Sequence, residues 1–175
     1  MQLSARARLL IAGQAPGTRV HASGLPFDDA SGDRLRDWLG LGRAEFYDAA
    51  RVAIVPMGFC FPGQDAKGGD LPPRRECRAA WHDRIFATMP QLSVLVLIGA
   101  YAQDYHLRRL GLEGLRRGSL TETVANWRAF AALRAPQVFV LPHPSWRNTG
   151  WLKKNPWFGA NVLPLLRAAV QDALR

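Results

Sequence analysis

Four short runs of branched apolar residues most constrain what this sequence can fold into: RLLIAG (8–13), RVAIVPM (51–57), SVLVLIGA (93–100) and QVFVLP (137–142). Each is apolar at consecutive rather than alternate positions, so a strand made from it needs cover on both faces. Parallel strands with helices on either side supply that cover, and the intervening segments carry helical patterning. SGDRLRDWLG sets Leu35, Trp38 and Leu39 on one face behind Ser31, which is placed to cap the helix. Further helices are predicted over residues 73–88, 100–110, 122–133 and 161–174. Strands and helices alternating in this way predict an α/β fold, a three-layer α/β/α sandwich, as one domain over residues 1–175.

Composition narrows the class. A chain of 175 residues with 48% hydrophobic content fits one soluble domain with a sizeable core. Lys plus Arg outnumber Asp plus Glu by 23 to 14, a net charge of +9. Such an excess favours polyanionic partners, nucleic acid or an anionic membrane surface; a generally arginine-rich composition is the plain alternative. The longest apolar run, VLVLIGAYA (94–102), is too short to span a bilayer, and LLIAG near the N-terminus is too brief for a signal peptide. A cytoplasmic protein without membrane contact is expected. The two cysteines, Cys60 and Cys77, form no CxxC and cannot fill a tetrahedral metal site unaided. His82, near Cys77, reads as a partly solvated helical histidine, and no structural disulfide is expected.

Two loops carry the chemistry. GQAPG (13–17) follows the first apolar run and HPSWRN (143–148) follows the last. In an open parallel sheet, loops leaving the carboxyl ends of the strands converge on one crevice. GQAPG is too short for a Walker loop and lacks its lysine, so by itself it is only a tight turn. Downstream, Phe27 precedes Asp28 and Asp29, and an aromatic beside a carboxylate suits a pocket that stacks a planar base and polarises a water. Aspartates also form turns and cap helices, and one of this pair is expected to do so. His143 should project at the sheet edge, where an imidazole can donate to a developing oxyanion or serve as a structural histidine. Trp146 and Arg147 are consecutive and bulky, as a wedge behind an extruded nucleotide must be. Lys153 and Lys154 offer phosphate contacts or solvated charge, and Trp151, Trp157 and Phe158 should hold their loop in place. Arg108, Arg109, Arg116 and Arg117 read as a solvated basic face. The Gly- and Pro-rich stretch CFPGQDAKGGDLPP (60–73) is either functional or a connecting excursion. No GxSxG elbow is present, which disfavours a serine hydrolase.

The ordered motifs GQAPG, GLPFDDASGDRL, MGFC, GDLPPRREC, LVLIGAYA and HPSWRN together resemble families 4 and 5 of the uracil-DNA glycosylase superfamily, from about residue 9 to residue 158. The resemblance implies a small α/β/α fold with a four-stranded parallel sheet, and hydrolysis of the N-glycosidic bond of uracil or a related deaminated base in DNA. It implies Asp29 and His143 as the catalytic pair, with Asp28 as the alternative carboxylate if the register slips by one. Gln14, Ala15, Phe27, Met57 and Gly58 would form the base pocket; Ser145, Trp146, Arg147, Lys153 and Lys154 would meet the DNA. A monomer is implied.

The departures from those families are equally specific. Family 4 has a catalytic Glu where this chain has Gln14, and an amide can position a water but cannot accept its proton. The Asn that both families use to read uracil falls on Pro56, leaving backbone groups of Met57, Gly58 and Phe59 as substitutes. Cys60 and Cys77 resemble the second half of a four-cysteine iron-sulfur site whose first pair would lie upstream of Leu9. No intact cluster, and hence no cofactor, is expected unless cysteines precede this sequence. The loop between the cysteines should then be less ordered. No lysine lies in either signature loop, so a Schiff-base lyase step is not expected. The sequence is read as a monofunctional DNA glycosylase, with a non-catalytic lesion binder of the same fold as the alternative. An enzyme of free nucleosides is disfavoured by the charge and by the Trp146–Arg147 pair.

Overall fold

The computed structural model describes residues 1–175. Four strands, β1 (Leu9–Ala12), β2 (Val52–Ile54), β3 (Val94–Ile98) and β4 (Gln137–Leu141), form one parallel sheet in the order β2-β1-β3-β4. All residues of β1, β2 and β3 are buried, as continuous apolar runs require. The register sets Ala12 beside Leu97 and Ile98 beside Leu141, so the carboxyl ends of the central strands finish level. β2 is shorter than the apolar run around it, yet its pairing continues past the strand. Val55 N–H donates to Ile11 O, Met57 N–H to Gly13 O and Gly58 N–H to Gln14 O, at 2.9–3.0 Å. On its outer side, Gln2 and Ile54 exchange two backbone hydrogen bonds, which closes the exposed edge.

After β1 come α1 (Thr18–Ser23), α2 (Ala30–Leu39) and α3 (Arg43–Phe46). Between β2 and β3 lie α4 (Arg75–Cys77) and α5 (Asp83–Ala87), joined by a π-helical turn at Arg78–His82. Next, α6 (Gly99–Arg109), α7 (Leu120–Ala125) and α8 (Trp127–Ala131) lead to β4. Beyond it lie α9 (Thr149–Lys154) and, after a π turn at Phe158–Val162, α10 (Leu163–Ala173). The right-handed crossover from β1 to β2 puts α2 on one face, and the C-terminal α10 packs against it there. The α5 and α6 segments share the other face, joined by aromatic contacts of His82, Phe86 and His106. No helix is long and apolar enough to cross a membrane.

Several local expectations are corrected. Asp29, not Ser31, caps α2: its Oδ1 accepts from Gly32 N–H at 2.9 Å, and Ser31 lies inside the helix. The helix expected at 122–133 begins earlier and breaks in two. Ser119 and Glu122 form a reciprocal capping box that starts α7 at Leu120, and Asn126 ends it while donating to Leu115 O at 3.0 Å. His82 is fully buried rather than partly solvated, stacked on Phe59 with ring centroids 5.7 Å apart. Its Nε2 lies 3.1 Å from Pro56 O; a carbonyl only accepts, so the proton is on Nε2 and the buried Nδ1 is left without a partner.

His106, beside it, is also buried, and desolvation lowers its pKa from 6.5 to about 3. A depressed histidine pKa stabilises the fold fully above the unfolded value of 6.5, and that contribution is lost as pH falls towards 3. Thermal unfolding should therefore shift to lower temperature between pH 6.5 and pH 4. In His106→Leu this acid dependence should be weaker by an amount on the order of a few kcal/mol; equal slopes in both proteins would show that His106 does not carry it.

Candidate active site

The loops leaving the carboxyl edge of the sheet enclose a cleft of about 810 Å³, enough for a nucleotide base and its sugar. Gln14, Ala15, Phe27 and Asp29 line it from the segment after β1. Pro56 and Phe59 line it after β2, Gly99 after β3, and His143, Ser145, Trp146 and Arg147 after β4. Eight of the twelve proposed site residues thus share one space, with Arg147 at its rim.

Phe27 forms one wall through an unusual backbone. Its φ of 56° lies in the left-handed region, where a bulky residue persists only if its surroundings hold it. They do so from below. A Cβ on Gly32 would lie 1.7 Å from Phe27 O, so the first turn of α2 accepts this carbonyl only because residue 32 is glycine. The buried Arg36 donates to Phe27 O at 3.4 Å, and Tyr47 Oη donates to Pro26 O at 2.9 Å. Arg36 is itself paired with Asp33 at 2.5 Å and lies over the rings of Phe46 and Tyr47. The Phe27 ring then meets Phe46 edge-on and reaches over Gly13 at the end of β1.

The two aspartates separate in role. Asp28 does not line the cleft; it pairs with Arg43 at 3.0 Å. Asp29 lines the cleft while one carboxylate oxygen caps α2, which fixes the direction of the other. Burial lowers the pKa of His143, with Asp29 and Asp70 pulling the opposite way. The imidazole is accordingly neutral at pH 7 and able to donate without carrying charge. Asn148 Nδ2 donates to His143 O at 2.7 Å and closes the HPSWRN loop; Arg34 of α2 donates to Ser145 O at 2.9 Å and ties that loop to the Asp29 helix.

Met57 and Gly58 are not pocket residues. Both are buried, and their N–H groups are the ones bonded to Gly13 O and Gln14 O, so these donors are not free to read a base. Pro56 and Phe59 face the cleft instead. Nor does Gln14 stand free, since its Nε2 donates to Leu71 O at 3.2 Å.

Leu71 belongs to a structure that the sequence did not disclose. Within the 60–73 stretch, residues 63–71 form a small hairpin with Leu71 N–H on Gly63 O and an antiparallel bridge between Gln64 and Asp70. Asp65 holds its tip, accepting from Lys67 N–H and Gly69 N–H at 2.8 Å, while Gly63 and Gly68 take the positive φ that the turns need. Arg147 Nη2 donates to Gly68 O at 3.4 Å, so the hairpin spans from one signature loop to the other. It brings Gln64 and Asp70 to the cleft, and neither was singled out by sequence.

Trp146 is 75% exposed at the cleft rim, with the Arg147 guanidinium 5.9 Å from its ring centre. Lys153 and Lys154 are exposed on the last turn of α9, outside the cleft. Behind them Trp151, Trp157 and Phe158 pack edge to face, and Trp151 Nε1 donates to Thr121 Oγ1 at 2.8 Å. Cys60 and Cys77 are free thiols, and no group of three or more Cys, His, Asp or Glu side chains gathers where a metal could bind. Two cysteines cannot supply the four thiolates of an iron-sulfur cluster, so the residues of this chain do not fit one.

Parallel-sheet topology, an aromatic wall over the end of β1, and a carboxylate and an imidazole from the first and last loops define an α/β protein with a cleft at its strand ends. The family model described as the uracil DNA glycosylase superfamily matches residues 1–167, and the chain belongs to that superfamily, which acts on N-glycosyl bonds in DNA.

Two outcomes are expected. Gly32→Ala forces the Phe27 carbonyl away and should destabilise the protein by about 3 kcal/mol, read by urea denaturation; a loss below about 1 kcal/mol would show that the turn relaxes freely. Gln14→Glu replaces the donor to Leu71 O with a charged acceptor. Trypsin should then cleave after Lys67 about 5-fold faster, the equivalent of one lost hydrogen bond. Unchanged cleavage would mean that the hairpin does not depend on this amide.

Proposed function

We propose that this protein is a monofunctional DNA glycosylase that releases uracil or a related deaminated base. The observation that carries this reading is the cleft shared by Phe27, Asp29 and neutral His143, supplied by loops from the first and last strands. Cationic residues including Arg147, Lys153 and Lys154 hold the phosphates, and Trp146 occupies the gap left in the stack. The extruded base stacks on Phe27. The C1′–N bond breaks with its electron pair leaving on the base, and His143 donates to the resulting anion without being charged. Asp29, held by its cap to Gly32, faces the cationic sugar and orients a water. The water oxygen bonds to C1′ and its proton passes through the carboxylate to solvent.

Base release is measured by alkaline strand cleavage of labelled oligonucleotides carrying uracil, hypoxanthine or xanthine opposite each base. Asp29→Asn and His143→Ala should each lower the single-turnover rate by at least about 100-fold while duplex binding is retained. Full activity in Asp29→Asn would remove that residue from the chemistry. No release by wild type, with salt-sensitive binding intact, would favour the lesion binder, a reading to which the engagement of Gln14 by the hairpin lends weight. Because burial lowers the pKa of His143, the acid limb of kcat/KM should have its midpoint below 6.5; a midpoint above 7 would contradict a neutral donor. Trp146→Ala should leave stability within about 0.5 kcal/mol of wild type yet reduce release from duplex more than from single strands.

A further inference from the structure

The hairpin over the cleft carries two polar side chains that the mechanism above does not use. Gln64 and Asp70 face each other across its bridge, Gln64 Nε2 lies 3.4 Å from Asp70 Oδ1, and both line the cleft that holds Phe27, Asp29 and His143. We propose that Gln64 and Asp70 read the –NH–C(=O)– edge of the extruded base, Asp70 accepting from the ring N–H and the Gln64 amide donating to the adjacent carbonyl oxygen. This assignment rests on the glycosylase reading of the same cleft and names its substrate class: bases whose hydrogen-bonding edge is a lactam.

Several polar groups on the other walls of the cleft are already committed. Pro56 has no N–H to donate, the N–H groups of Met57 and Gly58 are bonded to the loop after β1, and one amide hydrogen of Gln14 is committed to Leu71 O. One oxygen of Asp29 caps α2. Gln64 and Asp70 each keep hydrogen-bonding capacity beyond their mutual contact: a second amide hydrogen on Gln64 and the other carboxylate oxygen on Asp70.

An ionised carboxylate only accepts, so it rewards a ring N–H and repels a bare ring nitrogen. Uracil, hypoxanthine and xanthine present an N–H beside a carbonyl. Cytosine and adenine present a bare nitrogen beside an amino group, which opposes the pair at both positions. The ring N–H persists after the glycosidic bond has broken, because the leaving electron pair resides on a different nitrogen. Contact with Asp70 therefore survives from the bound substrate to the released anion. Asp70 also lies close enough to His143 to favour its charged form, which places it within electrostatic reach of the reacting base. The Asp65-held tip and the latches to Gln14 and Arg147 fix the hairpin before any base arrives.

Binding without turnover tests the assignment. Duplexes carrying 2′-fluoro-2′-deoxyuridine, its N3-methyl derivative or 2′-fluoro-2′-deoxycytidine resist cleavage, and their affinities are compared by fluorescence anisotropy. Wild type should prefer the uracil duplex over the other two by at least about 10-fold. Asp70→Ala and Gln64→Leu should each bring both ratios to within about 3-fold, with affinity for undamaged duplex and melting temperature unchanged. Asp70→Asn, which can donate to a bare ring nitrogen, should improve binding of the cytosine duplex. Equal wild-type affinity for uracil and N3-methyluracil, or an undiminished preference in Asp70→Ala, would overturn the assignment. Since nothing needs to be cleaved, a chain that releases no base still yields this ratio, and the two readings fail separately.

Discussion

The cleft depends on the tight packing of the Phe27 carbonyl against Gly32, where an added Cβ would lie 1.7 Å from that oxygen. A left-handed phenylalanine costs about 1–3 kcal/mol, and several groups share the task of holding it. The absence of a side chain at Gly32 opens the space, Arg36 reaches the carbonyl from within the protein, and Tyr47 fixes the preceding Pro26. The bend sends the Phe27 ring over the end of β1 and turns the chain so that Asp29 enters α2 as its cap. Arg36 could not lie buried without Asp33 and two aromatic rings beside it. A stacking wall and a directed carboxylate are thus two consequences of one strained residue.

The second loop is fixed relative to the first by backbone bonds that extend the sheet. Pairing continues beyond β2 to Gly58, which sets Pro56 and Phe59 against the cleft and directs Met57 into the core. His82 supports the same wall from behind, stacking on Phe59 and donating to Pro56 O. The last loop is secured by Arg34, which runs from the helix that Asp29 caps to Ser145 O. Each wall is therefore referred to its neighbour by backbone geometry or by a buried side chain, leaving little freedom for the distance between Asp29 and His143.

Much of this was legible in the sequence for definite physical reasons. Continuous apolar runs alternating with helical segments predict parallel strands covered on both faces, and those strands place Gln14 and His143 at one edge. The cap of α2 was harder to place. DDAS offers three side chains able to cap a helix, and the choice of Asp29 is made by the Phe27–Gly32 contact, which is tertiary. Met57 was misplaced because a residue next to a signature loop need not face the site that the loop builds. The hairpin was hidden more deeply. Asp65 before glycines marks a turn, but the bond that seats it joins Gln14 to Leu71 across 57 positions of sequence, and no local pattern carries that information.

That bond also changes how the substitution at Gln14 should be understood. Against a family in which a glutamate acts at this position, glutamine reads as the loss of a base. Against the structure it is a donor aimed at a carbonyl, an interaction that an ionised glutamate could not make. The carboxylate at Asp29 and the amide at Gln14 then divide two tasks between neighbouring parts of one loop: one caps α2 and lines the cleft, the other seats the hairpin at its rim. A hairpin held by Gln14, Arg147 and its own Asp65 also orders part of the stretch between Cys60 and Cys77 through hydrogen bonds alone. The chain departs from the related families at Gln14 and at Pro56, and the two departures meet in this hairpin. It seats on Gln14, faces the cleft wall that contains Pro56, and lies between the two thiols.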